Sequence, residues 1–184
     1  MFQTAKSILK RDPAAHSLLE VLLTYPGIQA LFWYRIAHFL THKHLYTLSM
    51  IISQHCANKT GIFISPEARI GKKVFIDHGI GTVIGSTAIV EDNVTILHGV
   101  TLGSRKVTNK KRHPHIKYGA LIGANAQILG PITIGKFSKV GAGAIVLSNV
   151  PSYSTVVGNP ARLVKKGRAI KINFKKQNKN LVQN

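Results

Sequence analysis

The stretch IGANAQILGPITIGKFSKVGAGAIV, residues 122–146, decides the fold. An aliphatic side chain returns every six residues, at Ile122, Ile128, Ile134, Val140 and Val146. Four positions after each stands a small or aliphatic residue: Ala126, Ile132, Ser138, Ala144 and Val150. An amphipathic helix repeats near 3.6 residues and a half-buried strand near 2, so neither explains this spacing. Hexads of this kind build β-solenoids, in which each repeat supplies a short strand and a turn. Stacked coils then bury the aliphatic ladder in one continuous core that no single coil could form.

Traced towards the amino terminus, the register continues through Ile116, through Leu102, Ile96, Val90 and Ile84, and through Ile76, Ile70 and Ile64. Its companion positions are Ala120, Val100, Val94, Ala88, Ile80, Val74 and Ala68, with Lys106 out of pattern in a loop. A parallel β-helix is therefore expected over residues 61–164. The register breaks twice: eight residues separate Ile76 from Ile84, and fourteen separate Leu102 from Ile116. The first break carries Asp77-His78 between glycine-rich neighbours, and the second, an extruded loop over 103–115, carries Arg112-His113. Residues that do not stack are pushed to the surface, where they are free for other work.

Before the hexads the pattern is helical, and residues 1–60 are expected to form a small α-helical region. Asp12-Pro13 reads as a helix start, an acidic N-cap with proline in the first turn, and the helix over 14–25 stops at Pro26-Gly27. Two further helices are expected over 28–40 and 45–57, apolar around most of their circumference and so packed against each other or another subunit. The last segment, 165–184, has seven basic residues and no acid, which predicts a solvated tail.

Composition bounds the rest. A chain of 184 residues with 45% apolar side chains suits one domain and excludes general disorder. Without a long apolar run or a secretory leader, a soluble cytoplasmic protein is expected, with no membrane partner. The single Cys56 excludes an internal disulfide and cysteine-based metal sites, and it reads as a core thiol. No histidine pair comes with a third group in a ligand pattern, so no metal is expected. Lys and Arg number 25 against six acids, a net charge of +19 that attracts polyanions. No nucleic-acid motif accompanies the charge, and the phosphates of a nucleotide-bearing cosubstrate fit it as well.

Taken singly, the residues at the breaks leave two readings open. Asp77 and His78 are either solvated turn residues or an acid beside an imidazole base on a rigid coil. Arg112 and His113 are either part of a basic surface or a two-point clamp for a carboxylate.

In combination, RDPAAHSLLEVLLTYPGIQALFWYRIAHFL, FIDHGIGTVIG, GVTLG, KRHPHI, IGANAQILGPITIG, KVGAGAIVL and VVGNPARLV resemble the bacterial serine O-acetyltransferases over roughly residues 11–164. The resemblance implies a left-handed parallel β-helix, a homotrimer or a dimer of trimers, sites between neighbouring subunits, and acetyl-CoA and L-serine as substrates for making O-acetylserine in cysteine synthesis. It implies His78 as general base, with Asp77 and Asp12 holding the substrate ammonium and Arg112 and His113 its carboxylate and hydroxyl. Ala124 and Ala142 match turn positions against the pantetheine arm, and Gly103-Ser104 opens the loop expected to meet the coenzyme.

The chain departs from that pattern in three places. Phe63 stands where the family has the carboxylate that orients the base, leaving Glu67 or a backbone carbonyl as substitutes. Ser104-Arg105 replaces a Gly-Thr or Gly-Gly pair. The chain ends in Leu-Val-Gln-Asn and not in isoleucine, so a complex with cysteine synthase is not expected. Competing readings are an O-acyltransferase for a related hydroxy amino acid such as homoserine, a catalytically silent trimeric scaffold, and a polyanion-binding protein.

Overall fold

The structure, a computed structural model, describes residues 1–165; beyond Lys165 the tail expected over 165–184 lies outside the described residues. The hexads form five coils of short strands. The first coil holds β1 (Phe63–Ile64), β2 (Arg69–Ile70) and β3 (Phe75–Ile76), and the second β4 (Val83–Ile84), β5 (Ile89–Val90) and β6 (Thr95–Ile96). The third holds β7 (Thr101–Gly103), β8 (His115–Ile116) and β9 (Leu121–Ile122), and the fourth β10 (Gln127–Leu129), β11 (Thr133–Ile134) and β12 (Lys139–Val140). The fifth holds β13 (Ile145–Val146) and β14 (Thr155–Val157), and β15 (Arg162–Lys165) turns back antiparallel on β14. First strands pair only with first strands, second with second and third with third, so the coils stack into a three-sided prism of parallel sheets.

Register follows the hexad count. Val83 pairs with Thr101 and Gln127 with Ile145, eighteen residues on, whereas Phe63 pairs with Val83 and Thr101 with Gln127 across the two breaks. All thirteen ladder aliphatics from Ile64 to Val146 are buried. At roughly 1.5–3 kcal/mol for each fully buried side chain, this ladder is the main source of stability. One companion position differs from expectation. Ile80 is 68% exposed, and Thr82 takes the inward place with no exposure. The two extra residues of the first break lie before Thr82, so the chain re-enters register there and Ile80 is carried outward.

The helices are α1 (Phe2–Arg11), α2 (Leu18–Thr24), α3 (Pro26–His42) and α4 (Tyr46–Thr60). Asp12 does not open a helix; it closes α1 in extended conformation. The α2 helix begins instead at Ser17, whose side chain accepts from the Glu20 amide while the Glu20 carboxylate accepts from the Ser17 amide, a capping box. Pro26 serves as the first residue of α3, where its missing N–H costs nothing. The α3–α4 hairpin rests on the first coil through Tyr34, whose hydroxyl donates to the Ala68 carbonyl at 2.5 Å and accepts from the Ile70 amide at 3.2 Å. Cys56 is buried in this hairpin, and burial pushes its thiol pKa up, away from nucleophilic use.

The α1 helix is pinned by Arg11. Its guanidinium donates to the carbonyls of Lys73 (2.8 Å) and Asn93 (3.3 Å) and to Thr95 Oγ1 (3.2 Å), and lies over the Phe75 ring. This fixes the neighbouring Asp12 against the end of the first coil.

Candidate active site

The first break is a tight excursion between β3 and β4. The Gly79 amide donates back to the Asp77 carbonyl at 2.6 Å, the Thr82 amide to Gly79 at 2.9 Å, and the Gly81 amide to Gly61 at 2.8 Å. His78, between them, has φ +55°, in the left-handed region that costs an ordinary residue about 1–2 kcal/mol. The same conformation recurs at the coil turns of Lys73, Asn93, Asn125, Phe137 and Tyr153, so it belongs to the turn. Its product here is an imidazole standing clear of the coil, 78% exposed, with Nε2 3.8 Å from Asp77 Oδ1 and the His98 ring 6.4 Å away. Gly79 has no substitute: a Cβ there would run into Ile62 and Ile76.

Asp12 reaches this excursion from the end of α1. Its Oδ1 accepts from the Ala14 amide at 2.9 Å and its Oδ2 from the Tyr25 hydroxyl at 2.7 Å. The Tyr25 bond first, then the Ala14 amide, hold the Asp12 carboxyl pKa below its usual range, and a positive charge on His78 lowers it further. Reciprocally, the Asp12 carboxylate pushes the Tyr25 phenol up to about 12, so Tyr25 remains a neutral donor at physiological pH. The Asp77 and Glu20 charges act on the same phenol, which places Asp12, Tyr25, Asp77 and His78 in one electrostatic cluster. Gly27 makes the approach possible, because a Cβ there would overlap the Ile76 carbonyl.

The second break is organised by Thr87. Its Oγ1 accepts the backbone amides of both Arg112 and His113, each at 3.0 Å. The Thr87 amide donates to His113 Nδ1 at 3.1 Å, and Oγ1 lies 2.9 Å from the same nitrogen. An Nδ1 that accepts from an amide carries no proton, so neutral His113 carries it on Nε2. Burial, then the nearby Arg112 charge, lowers the His113 pKa, which favours that neutral form. The ring packs against Gly85, where a Cβ would collide with Cδ2 and Nε2. Arg112 donates to the Thr108 carbonyl at 2.6 Å and lines a cleft of about 400 Å³ together with Ser104, Arg105, Lys106, Lys110 and Lys111.

Within one chain the candidates divide between two prism edges. On the edge joining the third sheet to the first lie Asp77, His78, His98, half-buried Ala124 and exposed Ala142, stacked through Gly99 N–H to Ile80, Asn125 N–H to His98 and Gly143 N–H to Ala124 bonds. On the edge joining the first sheet to the second lie Thr87, Gly103, Ser104, Arg112 and His113. Asp12 joins the first group, and the first sheet separates the two. Phe63, in β1 beside Val83, offers the base no polar atom, and the carboxylate within 4 Å of His78 is that of Asp77. Tyr25 and Thr87 carry no signal of their own in the sequence, and Gly27 and Gly85 read there only as a helix stop and a turn glycine. Each acts through a partner remote in the chain.

Curated relatives settle the ancestry. A serine acetyltransferase of Bacillus pumilus is 51% identical over 158 residues, covering 86% of this chain and 73% of that protein. The chain belongs to the serine acetyltransferase family. No protein-family model matches it. The crystal structure of the Neisseria gonorrhoeae serine acetyltransferase superposes with a TM-score of 0.88 at 42% identity, over 90% of this chain and 64% of that one. The Brucella abortus serine acetyltransferase in complex with coenzyme A gives 0.87 at 40% identity, over 90% of this chain and 66% of that one. The chain thus spans slightly less than two thirds of these solved serine acetyltransferases. The fold is the left-handed parallel β-helix expected for the family. Among the described residues no three His, Cys, Asp or Glu side chains group to hold a metal, and no helix is long and apolar enough to cross a membrane.

Proposed function

We propose that this serine acetyltransferase homologue transfers acetyl from acetyl-CoA to the hydroxyl of L-serine, with His78 as general base. One observation carries the reading: an exposed imidazole on a rigid excursion is flanked by Asp77 and Asp12 in a chain with only six acids. A cationic amino group bound by that pair brings its β-hydroxyl to His78. The imidazole takes the hydroxyl proton as the oxygen attacks the thioester carbonyl, and returns it to the departing thiolate as the tetrahedral intermediate collapses. Arg112 supplies charge for the substrate carboxylate, and His113, neutral and protonated on Nε2, donates a hydrogen bond beside it. Ala124 and Ala142 give the pantetheine arm a shallow track along the edge that carries His78, with Gly103-Ser104 and the basic cleft for the rest of the coenzyme.

The two groups of residues lie on either side of the first sheet, so neither edge makes a complete site alone. A homotrimer that packs the His78 edge of one copy against the Arg112 edge of the next completes three equivalent sites. The same reading places the protein in the cytoplasm, with its substrates.

Thiol release from acetyl-CoA, measured with L-serine and with L-homoserine beside His78→Ala, tests the assignment. Serine-dependent release lost in the variant is expected. Release with homoserine alone would move the acceptor to the longer hydroxy amino acid, and release unaffected by His78→Ala would sink the base.

A further inference from the structure

On the last two turns of α3, away from the breaks, two histidines converge. His38 and His42 are four residues apart, on one helix face, with Nε2 atoms 3.2 Å from each other and rings at 88°. His38 Nδ1 lies 2.6 Å from the Pro66 carbonyl, which can only accept, so Nδ1 carries the proton and Nε2 presents its lone pair outward. An imidazole braced through its other nitrogen by a backbone carbonyl is the usual arrangement for a metal ligand. Two nitrogens bound to one tetrahedral Zn²⁺ at about 2.0–2.1 Å stand about 3.3–3.4 Å apart, which the observed separation nearly matches.

We propose that His38 and His42 form a two-imidazole chelate for a borderline divalent transition cation such as Zn²⁺. Without metal, a single proton on His42 Nε2 bridges the pair. With metal, that proton moves to His42 Nδ1 and both Nε2 lone pairs bind the ion. The pair stands in the last two turns of α3, the negative end of the helix dipole, which favours a cation there. Imidazole donors select Zn²⁺, Ni²⁺ or Cu²⁺, and Mg²⁺ and Ca²⁺, which require oxygen ligands, are rejected. No third protein ligand joins the pair among the described residues, so water fills the remaining positions and the ion exchanges freely. Its structural effect is to cross-link the last two turns of α3, whose His38 is already braced on the Pro66 carbonyl.

Calorimetric titration of the full chain with ZnCl₂, with MgCl₂ as a control, tests the site. The wild type is expected to bind a first equivalent of Zn²⁺ per chain and no Mg²⁺. His42→Ala should weaken that equivalent at least about tenfold, whereas His44→Ala and His98→Ala leave it unchanged. His38 also braces Pro66, so exposed His42 carries the test, and thermal melts give a second reading: Zn²⁺ raises the wild-type midpoint and leaves that of His42→Ala in place. A first equivalent that survives His42→Ala, or a wild type without saturable Zn²⁺ binding, would overturn the proposal.

Discussion

The fourth coil and the first break share one solenoid and do opposite things. In the fourth coil, Ile128, Ile134 and Val140 point inward, β10 and β12 have a strand on each side, and outward positions are Gln, Thr and Lys. At the first break two extra residues turn Ile80 out to solvent, leave the His78 imidazole standing clear of the coil and bring Asp12 and Tyr25 up from the helices. Regularity supplies the stability; the departures expose the residues proposed to carry the chemistry. Substitutions in the two regions should therefore separate, one class unfolding the protein and the other silencing it intact.

The largest effect is expected at the break. His78→Ala should lower turnover by about 10²–10⁴-fold, the usual contribution of general-base catalysis, with the melting midpoint unchanged, as thiol-release assays and circular dichroism would record. In the ladder the reverse holds. Ile128→Ala should cost about 2–5 kcal/mol in denaturant unfolding while the folded fraction keeps its turnover. Between these extremes, Gly85→Ala pushes the His113 ring from its seat on Thr87. A displacement of about 1 Å should lower kcat/KM for serine by about 10²-fold with little change in stability.

The smallest effect separates positioning from chemistry. Tyr25→Phe removes the bond that holds Asp12 ionised, so the Asp12 pKa rises towards the usual carboxylate value. A carboxyl with a lowered folded-state pKa contributes above its unfolded pKa and loses that contribution as pH falls through the folded value. Tyr25→Phe should therefore be less stable than wild type near neutral pH and lose that difference as pH falls through the lowered Asp12 value, with kcat at pH 8 close to wild type, as denaturant unfolding at several pH values would record. A stability difference that persists unchanged into acid would assign Tyr25 a purely structural role.

How much of this was legible in the sequence follows from the range of the interactions. Ladder residues announce themselves because period six is a local property, and both breaks are visible as miscounts. The helical region was misread at Asp12-Pro13, where an acid before proline looks like a cap; the carboxylate instead bonds Ala14 and Tyr25, while the Ser17–Glu20 box opens the helix. Ile80 was assigned inward because counting from Ile76 does not reveal where an insertion is absorbed. Thr87 left no local trace and Gly85 reads only as a turn glycine after Ile84, since their partner, His113, lies across a coil and a loop.

In the proposed trimer each site takes residues from two copies of the chain, and subunit mixing tests this directly. His78→Ala and Arg112→Ala, each nearly inactive alone, are unfolded, mixed in equal amounts and refolded. If the base comes from one copy and the clamp from the next, random trimers regain about a quarter of wild-type turnover. A mixture as inactive as its parents would contradict the shared site and return both groups of residues to a single chain.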